Sequence, residues 1–458
     1  MRLVRTSHFA LLIFSSSFIS MNRNVKLVFL TNALLLLFSV ITSLLSAWAL
    51  KPEGRGELAI ITMWLFVFSL AGTLGLPYAH RYWMARESAW QSEIFSNTVV
   101  YTLIAGLITG GIAWFVIPLL TAGRSPEIIR FAQLFSINIP VILLTEMLRG
   151  QLEGARLFGW VGAARLSFIS TQAVGYAVFY FFGWLTLENA ILIIVVAQII
   201  CPLTMLVGVL KKLRPRWNFS FKVFRAEIGY GLRSYFGIVT GFAVLRLDII
   251  MLAIVAPSQI IGLYSVAVAL AEITATLASS VADALMPEVA AANNPKSSAL
   301  LVGKSLRLLF YAHFLVLIPL LLAAPYILQV IYGESFVAAT DTLRLLLLAS
   351  IVWSAGLTVI SGLDGFGHPG LSTIARLASS VTTVLALLIL LPRWGIVGAA
   401  AASLLGYSTL FLVALICFLR QERISLWEFL RPRREDISYG KIKALVEFSI
   451  LRRAVGKI

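Results

Sequence analysis

The candidate functional residues of this chain are charged side chains that lie inside strongly apolar stretches. Arg246 and Asp248 stand two positions apart in the stretch VLRLDIIML, and Glu272 lies in the next apolar stretch. Residues two apart do not face each other on a helix, so each needs a partner elsewhere. A charge at the bilayer centre costs about 2.5 to 3.5 kcal/mol on insertion scales, and such residues therefore mark candidate functional sites. Because a guanidinium group binds phosphate oxygens in a fork geometry, arginine here favours a phosphate-bearing ligand.

Three further arginines, Arg165, Arg376 and Arg233, stand near the ends of apolar stretches that adjoin the basic loops. A second interpretation is that Arg246 simply pairs with Glu272, while the other three extend their guanidinium groups to lipid headgroups. Arg246 lies near the middle of its stretch, too deep to reach a headgroup easily, which favours a functional role for this residue. For Arg233 and Arg376 the residues alone leave both interpretations open.

The elements that must position these charges are membrane helices. The chain has 458 residues, of which 59% are hydrophobic and 13% are charged, and its mean hydropathy is +0.92. Ordinary soluble domains are about half apolar and about a quarter charged. This composition excludes a soluble globule, a disordered chain and a secreted disulfide scaffold. The apolar stretches are long and continuous rather than alternating, which also excludes a β-barrel.

Apolar stretches bounded by charges, glycine or proline place the membrane-spanning segments. We predict an all-α integral membrane protein with twelve transmembrane helices, called spans 1 to 12. Their ranges are 27–50, 58–80, 94–120, 127–148, 157–183, 185–209, 230–256, 260–286, 302–331, 338–362, 371–392 and 395–419. The stretch at 8–20 is too short to span a bilayer and favours an interfacial N-terminus.

The distribution of basic residues predicts the orientation of the spans. Of the 37 Lys and Arg, 27 lie on the side of the two termini, and only 4 lie in loops on the other side. Basic loops stay inside, so both termini of this multi-pass protein of the cell inner membrane are predicted to be cytoplasmic. The formal net charge of +16 then reflects basic loops near anionic lipid, and no nucleic-acid partner is expected.

The chain divides into two halves of six spans that resemble each other. The segment 127–136 (EIIRFAQLFS) is similar to 341–350 (DTLRLLLLAS), and 149–166 is similar to 361–377. Because six is even, both halves enter the membrane in the same direction, as a parallel repeat about a pseudo-two-fold axis along the membrane normal. The predicted parts are a cytoplasmic N-terminal segment 1–26, an N-lobe 27–210, a basic cytoplasmic linker 211–226, a C-lobe 227–419 and a basic amphipathic cytoplasmic tail 420–458.

Motifs of common membrane enzymes are absent from the sequence. A Gly-Lys-Ser triplet at 303–305 lacks the first glycine of a Walker A motif, because position 298 is Ser298. No HExxH motif and no His/Cys cluster offers metal ligands. We therefore predict a non-enzyme without a metal site or a bound cofactor.

Five segments carry a resemblance to a known family. They are 54–83, 246–272, 284–290, 330–346 and 391–403. Over about residues 25 to 420 the chain resembles the Wzx-type polysaccharide flippases of the multidrug/oligosaccharidyl-lipid/polysaccharide exporter superfamily. The resemblance implies a twelve-helix, two-lobed fold of that superfamily. It also implies translocation of undecaprenyl-diphosphate-linked oligosaccharide units across the inner membrane for O-antigen, capsule or exopolysaccharide biosynthesis.

Under this hypothesis a cationic cavity between the lobes replaces the hydration shell of the diphosphate. We expect four arginines to bind the diphosphate by alternating access: Arg246, Arg165 and Arg376 lining the cavity, and Arg233 at its cytoplasmic mouth.

The other candidate residues have supporting roles. Asp248 and Glu272 would position the arginines or carry a coupling proton, and a proton or Na+ gradient is the candidate energy source. Candidate sugar contacts are Asn32, Tyr235 and Trp353. The expected partners are a lipid-linked oligosaccharide and membrane lipids, with a polysaccharide polymerase and glycosyltransferases as further candidates.

Three alternatives stay open at this point. One is an ion-coupled multidrug antiporter of the same superfamily, although span 1 has no carboxylate and the candidate cavity residues are mostly arginine. Another is a flippase for the lipid precursor of peptidoglycan. The last is a membrane scaffold that holds glycosyltransferases at the basic loops and tail.

Overall fold

The computed structural model describes residues 23–291 and 295–431, and this part of the chain is helical with short connections and no strand. The all-α prediction is confirmed. The helices are α1 (Arg23–Thr73), α2 (Leu76–Arg86), α3 (Gln91–Leu120), α4 (Pro126–Ser136), α5 (Ile139–Gly154), α6 (Phe158–Phe181), α7 (Leu187–Lys212), α8 (Phe221–Val255), α9 (Ser258–Ala291), α10 (Pro295–Ile327), α11 (Thr340–Gly365), α12 (Pro369–Gln421) and α13 (Leu426–Leu430).

Two of these helices each contain two predicted spans. At 53 residues, α12 would be about 80 Å long if straight, more than twice the hydrocarbon thickness of a bilayer. It bends at Gly395, and α1 bends at Lys51, both at positive φ. Seven helices of the described part are long and apolar enough to cross a membrane, and α4 with α5, bent by 43°, makes an eighth. The chain is therefore a multi-pass membrane protein. Every predicted span lies mostly on helix, but span 2 is broken at 74–75 and span 4 at 137–138.

The helices pack mainly within their own half of the chain. In the first half α1 packs on α6, α6 on α7, and α5 on α2, α3 and α7. In the second half α11 packs on α9, α10 and α12. Between the halves α1 packs on α9, while α8 contacts α2 in the first half and α12 in the second. Helix α8 therefore belongs to both halves by its contacts.

The two ends of the bundle are distinguished by their connections. The basic end carries the 213–220 connection between α7 and α8, and the opposite end carries the bends at Lys51 and Gly395. At the opposite end one hydrophobic core runs through both halves, from Leu45 in α1 to Ala402 in α12. At the basic end the larger cores are separate, one in each half. The halves are thus joined by a shared core at one end only.

A close backbone contact seals the opposite end. A Cβ atom at Gly56 of α1 would lie 1.7 Å from the carbonyl oxygen of Ser258 in α9. A Cβ atom at Gly262 would lie 1.8 Å from the carbonyl oxygen of Pro52. Only glycine permits the two helices to approach this closely. We call this contact, Pro52–Gly56 against Ser258–Gly262, the opposite-end seam.

Helix α8 is held by both halves at different points along its length. Near its start, a Cβ atom at Gly75 would lie 2.2 Å from the carbonyl oxygen of Gly231, and Gly75 has a φ of 74°. Further along, the hydroxyl of Ser380 in α12 donates to the carbonyl oxygen of Thr240 at 3.5 Å. The first turns of α8 thus pack on the first half. The later turns contact both halves, because Phe242 also stacks on Phe66 of α1 with ring centroids 5.1 Å apart.

The predicted linker and tail take more structure than the sequence indicated. Helices α7 and α8 extend into the predicted linker 211–226 and leave only 213–220 between them. In the tail, Phe429 of α13 is buried, and its carbonyl oxygen accepts a hydrogen bond from Arg307 at 2.6 Å. The predicted N-terminal segment up to 22 and the tail beyond 431 lie outside the described residues.

Candidate functional site between the two halves

An ion pair inside the membrane-spanning region is the centre of the candidate site. The guanidinium Nη1 of Arg246 in α8 lies 2.8 Å from Oε1 of Glu272 in α9. The two side chains are 33% and 51% exposed, so neither is enclosed in protein. Because both side chains are partly exposed, a ligand that enters between the halves can reach either group.

A cavity of about 200 Å³ adjoins this pair. Its walls come from Ser39 and Ser43 of α1 in the first half, and from Ala269 and Glu272 of α9 in the second. Tyr332, which follows α10, closes one side, with its hydroxyl 3.2 Å from that of Ser43. Glu272 thus faces a small space of mixed polarity between the two halves. That space offers hydroxyl groups beside the charges.

Asp248 fixes the rotation of α8. Its carboxylate is buried and accepts hydrogen bonds from the hydroxyl of Tyr264 in α9 and from the hydroxyl of Ser403 in α12 at 3.0 Å. The backbone NH of Ile249 also donates to it, at 2.7 Å. A charged acceptor with three donors is well satisfied despite burial. With Asp248 tied to α9 and α12, Arg246 is presented on another face of α8.

The other predicted arginines have different surroundings from this pair. Arg376 of α12 lies against α8, since a Cβ atom at Gly241 would lie 3.5 Å from its Nη1. Arg233 is exposed and its Nε donates to the carbonyl oxygen of Gly229, one turn earlier, at 2.8 Å. Arg165 is exposed on α6. No ion pair in the described part joins these three to Arg246 or Glu272, and their role in diphosphate binding stays a prediction.

The predicted sugar contacts have different surroundings. Trp353 is buried in the second half, with its ring 5.1 Å from that of Tyr407. Tyr235 is half-buried on α8. The side chain of Asn32 lies outside the described part of the structure. All three sugar contacts stay predictions. No group of three or more His, Cys, Asp or Glu in the described part could hold a metal ion.

A buried polar cluster at the basic end was missed by the sequence analysis. Glu227 in α8 is fully buried and lies 3.1 Å from the Nε2 of His80 in α2. The amide of Asn97 in α3 donates to the second carboxylate oxygen at 2.9 Å. Asn97 also exchanges two hydrogen bonds of 3.2 Å with the backbone of Ser220. We call His80, Asn97 and Glu227 the basic-end cluster; it fastens the start of α8 to the first half.

Arg124 provides a second link that was missed, at the opposite end. It belongs to the connection between α3 and α4, and it donates to the hydroxyl of Ser258 at 2.8 Å. It also donates to the carbonyl oxygens of Ala253 and Ala256 at 2.8 and 2.9 Å. Burial lowers the pKa of this guanidinium group, and the nearby Glu57 carboxylate raises it. The sequence analysis counted Arg124 only as a loop charge.

Solved structures identify the class of fold. One similar structure is "Lipid II flippase MurJ, inward closed conformation", with a TM-score of 0.74 at 14% identity, covering 93% of this chain and 97% of that one. Another is an inward-facing multidrug resistance MATE family transporter of the MOP superfamily, with a TM-score of 0.68 at 16% identity, covering 84% of this chain and 94% of that one. The chain therefore shares the fold of these two structures, and the predicted all-α membrane fold class is confirmed.

The family follows from the sequence match. Residues 44–341 match the family described as "Polysaccharide biosynthesis protein", and the chain belongs to this family. A relative is the "Probable low-salt glycan biosynthesis flippase Agl15" of Haloferax volcanii, 25% identical over 196 residues. That alignment covers 41% of this chain and 41% of the relative's own length. The predicted resemblance to polysaccharide flippases is thereby confirmed at the level of the family.

Proposed function

We propose that this protein is a flippase that carries a lipid-linked oligosaccharide, with an undecaprenyl-diphosphate anchor, across the inner membrane. The oligosaccharide would serve the biosynthesis of O-antigen, capsule or exopolysaccharide. The observation that carries the proposal is the partly exposed Arg246–Glu272 pair beside a cavity between the two halves. Membership of the polysaccharide biosynthesis family supports the same function.

The chemistry of the site is an exchange of anions. A diphosphate displaces the carboxylate of Glu272 from Arg246, and the guanidinium group then donates to two phosphate oxygens in place of one carboxylate. The hydroxyls of Ser39, Ser43 and Tyr332 on the cavity wall supply further donors. Glu272 accepts a proton when it leaves Arg246, which neutralises its charge in a poorly hydrated site. Release of that proton restores the ion pair and expels the diphosphate.

Translocation follows from opening the two ends in turn. The shared core, the opposite-end seam and Arg124 close one end, while the basic end has separate cores. The basic end faces the cytoplasm in this proposal, as the positive-inside rule favours, and the termini are cytoplasmic. The lipid-linked substrate enters there and leaves at the opposite end. A polymerase would then take up the product that glycosyltransferases had assembled.

The test is export of surface glycan by a strain that depends on this protein. We expect Arg246→Ala to reduce surface glycan at least tenfold at wild-type protein level, because the diphosphate loses its main donor. Arg246→Lys keeps the charge without the fork and should retain part of the export. Arg344→Ala is the matched control, since it removes an arginine paired with Asp341 at 3.3 Å near the opposite end.

Two outcomes would contradict the proposal. One is full export by Arg246→Ala, which would remove the ion pair from the mechanism. The other is resistance to cationic dyes on overexpression without any effect on glycan, which would favour the multidrug antiporter instead.

Glu272→Gln separates the roles within the pair. It keeps Arg246 available for phosphate but removes the proton exchange, so substrate binding should persist while export falls.

A further inference from the structure

An apolar groove lies at the basic end. None of its lining residues belongs to the Arg246–Glu272 pair or to the cavity beside that pair. It has a volume of about 480 Å³ and runs between α1, α3 and the start of α8. Ile104 and Ile108 of α3 form one wall, and Phe219, Phe221 and Phe224 form the other. Polar groups contribute little to its surface. The groove therefore suits a hydrocarbon chain rather than a sugar or an ion.

The length of the groove matches one membrane leaflet. Along α3 its lining runs from Asn97 to Thr109, a rise of about 18 Å over the twelve steps between these residues. One leaflet of a bilayer core is about 15 Å thick. The groove is open to the surroundings, since Ile104 and Ile108 are each 58% exposed and Phe221 is 69% exposed. An acyl chain lying along the membrane normal would fill it.

Basic side chains lie around the end of the groove that is formed by Phe219, Phe221 and Phe224. Arg214, Arg216, Lys222 and Arg225 are all exposed in the 213–220 connection and the first turns of α8. Arg225 lies one helical turn from Phe221 and on the same face, so charge and aromatic ring adjoin. Such basic sites between membrane helices bind phosphate headgroups.

The acidic groups near this patch are already engaged. Glu93 at the start of α3 accepts a hydrogen bond from the amide of Asn218 at 2.8 Å. Glu227 is buried in the basic-end cluster. Arg214, Arg216, Lys222 and Arg225 outnumber these two carboxylates, so the field above the groove is positive and complements an anionic headgroup better than a zwitterionic one.

We propose that this groove binds an anionic glycerophospholipid, with one acyl chain between α3 and α8 and its phosphate at Lys222 and Arg225. The lipid fastens the 213–220 connection against the first half, where Asn97 and Ser220 already exchange hydrogen bonds. This site goes beyond the proposed export function and stands without it.

The experiment compares two lipids on the purified full-length protein. Dioleoyl phosphatidylglycerol or dioleoyl phosphatidylcholine is added in detergent, retained lipid is counted by native mass spectrometry, and the thermal midpoint is recorded. We expect phosphatidylglycerol to be retained and to raise the midpoint by about 5 °C, and phosphatidylcholine to be lost. Inorganic phosphate alone should cause no shift, because it lacks the chain.

Three variants locate the site. Lys222→Gln with Arg225→Gln should lose at least half of the retained phosphatidylglycerol. Lys211→Gln with Lys212→Gln is the matched control, because it removes the same charge from residues that do not line the groove, and it should bind like the wild type. Ala105→Phe fills the groove and should prevent retention.

Several results would overturn the proposal. Equal retention of both lipids by the wild-type protein would remove the headgroup preference, and this comparison needs no variant to fold. A midpoint shift with inorganic phosphate alone would assign the patch to a free anion. Equal loss of lipid in the two charge variants, or full retention by Ala105→Phe, would place the lipid elsewhere.

Discussion

At the opposite end the two halves share one hydrophobic core and touch backbone to backbone, whereas at the basic end their cores are separate. What joins the halves at the basic end is the start of α8, held by the buried basic-end cluster. The opposite-end seam depends on shape, because glycines let α1 and α9 approach without side chains. The basic-end cluster depends on polar contacts, because the buried carboxylate of Glu227 lies beside His80 and accepts a hydrogen bond from Asn97.

This difference teaches how each end resists opening. A shape-dependent seam is lost when any bulk is added, and its strength changes little with salt. A buried polar cluster is weakened when one partner is removed, because the remaining groups are left unsatisfied in a medium of low polarity. Substitutions at the opposite end should therefore act through steric clash, and substitutions at the basic end through the loss of a polar partner. The sizes of their effects should differ as well.

The largest effect is expected at the opposite-end seam. Gly56→Val places side-chain atoms where the carbonyl oxygen of Ser258 lies, so the seam cannot form. Export should fall to background, and Ser43→Cys in a cysteine-free chain should react faster with an impermeant thiol reagent added outside. Gly111→Val is the control, since a Cβ atom there meets nothing within 4 Å. Normal export by Gly56→Val would show that the seam is dispensable.

The next effect is expected at the basic-end cluster. Glu227→Ala should lower the free energy of unfolding by about 1 to 3 kcal/mol for each of the two groups, His80 and Asn97, that lose a buried polar partner. Chemical unfolding in detergent measures this change. The double variant His80→Gln with Glu227→Gln removes the carboxylate and keeps hydrogen-bonding groups, so it should be less destabilised than Glu227→Ala. A loss below about 1 kcal/mol for Glu227→Ala would mean that the cluster contributes little to stability.

The smallest effect is expected from Arg124. Arg124→Gln removes charged hydrogen bonds to Ser258, Ala253 and Ala256 and should cost about 1.5 to 3 kcal/mol of unfolding free energy. Partial exposure of Arg124 to solvent places the value toward the lower figure. The same unfolding assay applies. Arg124→Lys should recover little, since an ammonium group cannot reach three acceptors as a planar fork does; full recovery by lysine would assign the effect to charge alone.

Most of the fold could be predicted from the sequence, because hydropathy and basic loops are strong signals in membrane proteins. The bend in α1 could not. Pro52 reads as a helix breaker, yet it stands just after the bend, where a helix can begin again with proline in its first turn. The prediction of a loop at 51–57 was therefore wrong, because Lys51 alone takes the non-helical backbone angles.

The candidate site could be predicted only in part. Spacing showed that Arg246 and Asp248 face different ways, and the structure confirms it through the bonds of Asp248 to Tyr264 and Ser403. Spacing could not show which neighbour Arg246 meets, because the rotation of each helix about its axis is set by packing. Glu227 was missed because it seemed part of a charged connection, and its partner Asn97 stands 130 positions away.

Helix α8 connects the two halves and contacts both of them along its length. Its start is held by the first half at Gly231, and Thr240 accepts a hydrogen bond from Ser380 of the second half. These two contacts lie about nine residues apart, or about 13 Å of helix. Gly237 lies in that stretch with nothing within 4 Å of where its Cβ would be. The first half also meets the later turns of α8, where Phe66 stacks on Phe242 and Arg124 donates to Ala253. We therefore expect a twist between the halves to be taken up most easily near Gly237, while the last turn of α8 stays tied to the first half.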